Sequence, residues 1–141
     1  MNINESIIEQ LKIVARDVTY EKAKLAAAIV YKNKIISIGM NSYNTHGFQY
    51  RYGKNSQSIC WHAENHAIYN AKQNYFDKWK KSTLYVVRIK WNGTDKEKII
   101  IGNSKPCSGC MRAIRDHNIK NIVYTLDSSE NEDQNYGIIV L

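Results

Sequence analysis

Residues 104–126 read SKPCSGCMRAIRDHNIKNIVYTL, and they hold the one proline of the chain and two of its three cysteines. Pro106 fixes φ and lacks an N–H, so it stands without cost just before a helix or in its first turn. Met111, Ile114 and Arg115 continue a helical pattern from there, and residues 121–126 then read as a strand. This places Cys107 in the first turn of the predicted helix and Cys110 one turn later on the same side, where both sulfurs can reach one metal ion. The unpaired N–H groups and positive dipole end of that turn favour thiolate, the form that binds metal. A redox dithiol is the competing reading, but thioredoxin-like pairs follow an early strand and this pair follows a late one.

Working outward, Ile3, Ile7, Ile8, Leu11, Val14, Ala15 and Val18 recur at helical spacing, with Asn2 and Glu5 placed as a capping pair. Residues 25–43 read as two short strands joined at Lys32-Asn33-Lys34, a predicted hairpin. Residues 45–58 read as a loop, and the FQYRYGK within it as a short extended segment. Helical spacing then returns through Ala63, Ala67, Ile68 and Ala71. Residues 83–91 form a strand pattern, Asn92-Gly93 is a tight-turn pair that can send the chain back through residues 98–101, and residues 137–141 make a last strand. The order α-ββ-α-β-α-β-β predicts a three-layer α-β-α sandwich on a mixed five-stranded sheet, with residues 1–141 as one domain.

The formal charge of +7 could suggest a nucleic-acid partner, and residues 72–98 hold 8 of the 20 basic residues. Yet the chain has 15 lysines against 5 arginines and is rich in Asn, Ile and Tyr, residues that share A/T-rich codons. Part of the charge is therefore read as codon composition, and the basic stretch as a solvated face. No basic and apolar leader opens the sequence, no apolar run approaches a membrane span, and three cysteines suit a reducing compartment, so a cytoplasmic protein is expected.

A C-x-x-C pair supplies two ligands, and the rest must come from His46, His62, His66, His117 or Cys60. His62 stands out because it opens the second long helix as H-x-E, with Glu64 two positions on. A carboxylate there can reach the far side of the same ion without binding it and take a proton from water. Three protein ligands with one open position describe a catalytic site. The alternative is a closed Cys2His2 module in which His66 completes the set, an arrangement with no use for Glu64.

HAE at one helix start, followed about 45 residues later by PCSGC at the next, resembles the zinc-dependent cytidine and deoxycytidylate deaminase superfamily, whose signature is H-x-E then P-C-x-x-C. The resemblance implies a cytidine deaminase-like fold, Zn2+ held by His62, Cys107 and Cys110, and Glu64 as proton shuttle. It implies Asn41, in GMNSYN, as a sugar contact, and a homo-oligomer acting on a small nucleoside or nucleotide. Ala63 within H-x-E, Arg51 and Tyr52 complete the candidate substrate contacts; an aromatic of residues 48–54 can stack on a base while Arg51 or Lys54 meets a phosphate.

The activity expected on this resemblance is hydrolytic deamination of a cytosine-containing nucleoside or nucleotide to the uracil form, deoxycytidylate first. A polynucleotide deaminase or binder, using the basic residues 72–98, is the alternative. Two features differ from the deoxycytidylate-like branch. DSSENEDQNYG, before the last strand, reads as a loop or hairpin where that branch has a helix, and residues 92–103 form an added excursion before Pro106.

Overall fold

The computed structural model describes residues 2–20, 23–55, 59–92, 95–128 and 134–141, with the side chains of Asn92 and of residues 95–98 left aside. Helix α1 (Glu5–Arg16) leads into strands β1 (Lys24–Tyr31) and β2 (Lys34–Met40), a short helix α2 (Gly47–Arg51) and helix α3 (Ala63–Gln73). A 3-10 turn at Trp79–Lys81 precedes β3 (Thr83–Asn92) and β4 (Asp95–Gly102), followed by α4 (Ser108–Asp116), β5 (Asn121–Thr125) and β6 (Tyr136–Val140). Among the described residues no helix is long and apolar enough to cross a membrane.

The strands lie in the order β2-β1-β3-β5-β6, with β3 and β5 parallel and the other pairs antiparallel. These five are the strands expected. The sheet gains a sixth, β4, which pairs antiparallel with the far half of β3 from Arg88–Gly102 to Asn92–Asp95. The excursion at residues 92–103 is therefore sheet, although the connection expected at Gly93 lies outside the described residues. Lys32 and Asn33 have φ of 50° and 61°, so both central residues of the β1–β2 turn are left-handed, which is the type I′ geometry that matches strand twist.

Strand β1 explains the layering. Ala27 and Ile29 enter a core with α3, α4, Leu84, Val86 and Ile122, while Ala26, Ala28 and Val30 enter a second core with α1, Tyr85, Val87 and Val123. A strand covered on both faces reads as the continuous apolar run LAAAIV instead of an alternation. The result is α1 on one face of the sheet and α3 with α4 on the other.

Three local expectations are corrected. Asn4, not Asn2, caps α1: its Oδ1 accepts from Ser6 N at 3.1 Å and Ile7 N at 3.4 Å. The FQYRYGK segment is largely helical, because His46 Nδ1 accepts from Phe48 N at 3.0 Å and starts α2. Cys107 is the N-cap of α4 and precedes its first turn. The DSSENEDQNYG segment is described only at its ends, since residues 129–133 lie outside the described set; β6 returns antiparallel to β5, which needs no crossover helix.

Candidate active site

Two helix starts face each other on the α3–α4 side of the sheet. His62, the N-cap of α3, makes no capping hydrogen bond with its side chain. Its Nδ1 lies 3.6 Å from Cys107 Sγ and 3.4 Å from Cys110 Sγ. Cys107 Sγ accepts from Cys110 N at 3.5 Å, so the C-x-x-C turn folds its own backbone around one sulfur.

Tetrahedral ligands at about 2.05 Å for nitrogen and about 2.3 Å for sulfur stand about 3.6 Å apart, and both N···S separations match a single zinc ion. The three ligand atoms lie within 4.8 Å of one another, and among the described residues no fourth His, Cys, Asp or Glu joins them. His66 is turned elsewhere: its Nδ1 accepts from Met40 N at 3.1 Å. The closed Cys2His2 arrangement is thereby replaced by a three-ligand one.

The electrostatics suit a cation. The Cys110 thiol hydrogen-bonds to Cys107 and, with His62, holds the Cys107 thiol down to about 3, against the cost of burial. The same hydrogen bond, together with burial, pushes Cys110 well above its ordinary value. Negative charge is thus favoured at Cys107 and the shared proton at Cys110, and a bound divalent cation would favour thiolate at both. The His62 imidazole is raised, first by its hydrogen bond with Cys107.

Glu64 stands in the first turn of α3 and is 4% exposed. Burial pushes its carboxyl up, and His62 pulls it back in part. A buried carboxyl whose charged form is disfavoured, placed beside these ligand atoms, is suited to carry a proton.

A brace behind the site gave no sequence signal. Gln49 of α2 is 0% exposed, and its Oε1 accepts from His62 N and from Asn65 Nδ2, each at 2.9 Å. Asn65 Nδ2 also reaches Tyr52 O at 3.3 Å, and Arg112 donates to Gly53 O at 2.7 Å. A Cβ at Gly109 would overlap the backbone of Tyr52 and Gly53, so only glycine lets α4 start against this segment. The residues of α2 therefore set both helix starts from behind.

That placement relocates two sequence candidates. A cavity of about 500 Å³ opens over the metal cluster, and Asn41, Ala63, Glu64, His62 and Cys107 line it, with Cys60 and Trp61 beside them. Arg51 and Tyr52 do not line it: Tyr52 donates its hydroxyl to Asp116 at 2.9 Å, and Arg51 stands over the Tyr52 ring. Helical winding at α2 turns them toward α4. Asn41 accepts from Leu25 N at 2.9 Å and donates to Ala23 O at 2.8 Å, which pins β1 to the end of β2. One amide hydrogen and one lone pair remain to it.

The family model for the cytidine and deoxycytidylate deaminase zinc-binding region matches residues 1–126. No curated protein matches the chain. Among solved structures the chain is similar to the cytidine deaminase from Burkholderia pseudomallei, with a TM-score of 0.60 and 18% identity over 96% of this chain and 92% of that one. It is also similar to the dCMP deaminase from the cyanophage S-TIM5 in apo form, with a TM-score of 0.57 and 18% identity over 85% of this chain and 79% of that one. At this identity the two likenesses establish the fold.

Proposed function

The chain belongs to the cytidine and deoxycytidylate deaminase family, and from that premise we propose that it deaminates a cytosine-containing nucleoside or nucleotide hydrolytically, with deoxycytidylate as first choice. One observation carries the reading: His62, Cys107 and the buried Glu64 line one cavity, and the Cys110 sulfur lies within 4.8 Å of the other two ligand atoms.

His62, Cys107 and Cys110 would hold zinc, whose Lewis acidity makes water acidic enough to lose a proton near neutral pH. Glu64 takes that proton as the water oxygen bonds to C4 of the ring, and passes it to N3. It then takes the second water proton and gives it to the departing amino group, so the C4–N bond breaks and ammonia leaves. Both transfers need a carboxyl that cycles between its two states, and burial supplies the upward push that keeps the protonated form accessible. Ala63 and Asn41 line the wall where base and sugar would lie.

Three lysines of the basic stretch behind a polynucleotide reading lie elsewhere, while Arg88 of the same stretch lines the first cavity. Lys78, Lys80 and Lys81 line a separate cavity with Trp79 and Asn118, which shares no lining residue with the first. The deciding assay is ammonia release from cytosine, cytidine, deoxycytidine, their monophosphates, adenosine and single-stranded oligonucleotides. Turnover of deoxycytidylate or deoxycytidine above the others is expected. Release from adenosine or from oligonucleotides alone sinks the proposal.

A further inference from the structure

One cation in the active-site cavity is used by nothing described above. Arg88 lines the same wall as Leu25, Asn41 and Lys105, and its Nε is out of water with no hydrogen-bond partner. Neither ion pair among the described residues involves it. The carboxylate on the neighbouring strand end, Asp127, is taken by Lys90 at 3.4 Å and by Asn103 N at 3.0 Å. Among the described lining residues Glu64 is the only carboxylate, against Arg88 and Lys105. A half-buried guanidinium with an unpaired donor is costly unless an anion comes to it.

The position is built. Arg88 is paired on one side with Leu25 of β1 and on the other with Gly102 of β4, where that second edge of β3 passes from β5 to β4. Its N–H donates to Thr125 Oγ1 at 3.2 Å, and that hydroxyl donates to Gly102 O at 2.8 Å and meets Ser104 Oγ at 2.9 Å. Ser104 and Thr125 are both buried, so the base of the Arg88 side chain is fixed from below. Gly102 leaves room above: a Cβ there would stand 3.0 Å from Arg88 Cδ and 2.7 Å from Lys90 Cε. A side chain at 102 would displace the end of Lys90 and crowd the Arg88 stem.

We infer that Arg88 is the residue that selects an anionic substrate here, by holding the 5′-phosphate monoester of a nucleotide whose base sits at Glu64. Lys105 at the rim assists. A planar guanidinium matches two phosphate oxygens with parallel hydrogen bonds, and a cavity of about 500 Å³ accommodates a mononucleotide. The inference rests on the deaminase reading for the place of the base, and it assigns the phosphate to the third strand, away from Arg51 and Lys54.

The test is calorimetric titration of the zinc-loaded protein, in a Glu64→Ala background throughout so that no ligand turns over, with deoxycytidylate, deoxycytidine and a short single-stranded oligonucleotide containing an internal cytosine. With Arg88 in place the protein should bind deoxycytidylate about ten- to a hundredfold tighter than deoxycytidine, as a charged hydrogen-bond pair implies. Arg88→Met, which keeps the stem, should bring that ratio close to one while leaving deoxycytidine affinity within about twofold, and Arg88→Lys should recover part of it. Should Arg88→Met lose zinc, Lys105→Met on the same wall carries the test, with the ratio falling at least about threefold.

Equal losses for both ligands, no phosphate preference with Arg88 in place, or an unchanged ratio in Arg88→Met overturns the inference. Oligonucleotide binding that falls in parallel with deoxycytidylate binding overturns the monophosphate assignment in favour of a chain phosphate. The two readings fail separately. Deamination of deoxycytidine without phosphate preference removes Arg88 and keeps the reaction, whereas a phosphate-dependent affinity without ammonia release by the wild-type protein does the reverse.

Discussion

Helices α1 and α3 begin on opposite faces of one sheet, and they begin differently. At α1, the Asn4 side chain accepts two of the helix's free N–H groups, and the Asn4 N–H is itself held by the Tyr85 hydroxyl at 2.9 Å. At α3, His62 occupies the same structural position and caps nothing, because its ring is turned to two sulfurs. The first turn of α1 carries the exposed Glu5; that of α3 carries Glu64, buried where a carboxylate is penalised. One end is arranged for helix stability. The other gives up local stability for three clustered ligand atoms and a buried carboxyl, as functional sites commonly do.

The largest test of that contrast is the carboxylate pair. Glu64→Ala should lower turnover by about 10²- to 10⁴-fold while zinc content stays at one per chain, since a proton carrier is removed and no ligand is lost. Glu5→Ala, the matching change at α1, should leave turnover within about twofold. Zinc content and ammonia release, measured on the same preparations, decide it. If Glu64→Ala retains full turnover, the buried carboxyl is structural and the two helix starts differ less than their geometry suggests.

Metal removal comes next. With free zinc about 1,000-fold above its Kd, a site that exists only in the folded chain adds about 4 kcal/mol, so chelation should lower the melting temperature markedly. His62→Asn should abolish this dependence. In chelated protein it should gain about 0.5–1 kcal/mol over wild type, because asparagine is a better N-cap than histidine. Thermal melts with and without chelator supply both numbers. A His62→Asn protein that zinc still stabilises as much as wild type removes His62 from the ligand set.

The same contrast separates what sequence alone made legible. His62, Glu64, Cys107 and Cys110 stand out because their chemistry needs those residue types at fixed spacing, and the β1–β2 turn stands out because Lys32-Asn33 breaks two β-branched runs. Gln49 and Asn65 do not. An amide that braces a backbone from behind has no spacing rule, and in a polar segment it is indistinguishable from a solvated one. Arg51 and Tyr52 are substrate candidates in sequence because FQYRYGK alternates aromatic and basic residues, but helical winding at α2 rotates them toward Asp116 and the ring face. Arg88 lies inside a strand pattern, and only the sheet's layering shows that it alternates with Leu84 and Val86 onto the face that carries the cavity. Strand β4 was half visible as the return of a turn, and it adds a strand to the sheet by pairing with a β3 longer than the core requires.

The smallest effect is expected at the end arranged for stability. Asn4→Ala removes the acceptor for Ser6 N and Ile7 N and leaves the Asn4 N–H bond to Tyr85 in place, so only the cap is lost. Loss of an asparagine N-cap costs about 1 kcal/mol. For a chain of 141 residues this is a fall in melting temperature of about 2–5 °C. Because α1 packs on Tyr85, Val87 and Ile89 across the sheet from the metal cluster, turnover at a temperature where both proteins are folded should be unchanged. Restoring an acceptor by Asn4→Ser or Asn4→Asp should return most of the melting temperature, which distinguishes a lost cap from a general packing defect. If Asn4→Ala instead lowers turnover in proportion to Glu64→Ala, the two faces of the sheet are coupled. The division into a stabilising helix start and a chemical one would then fail at the end where it predicts no effect on catalysis.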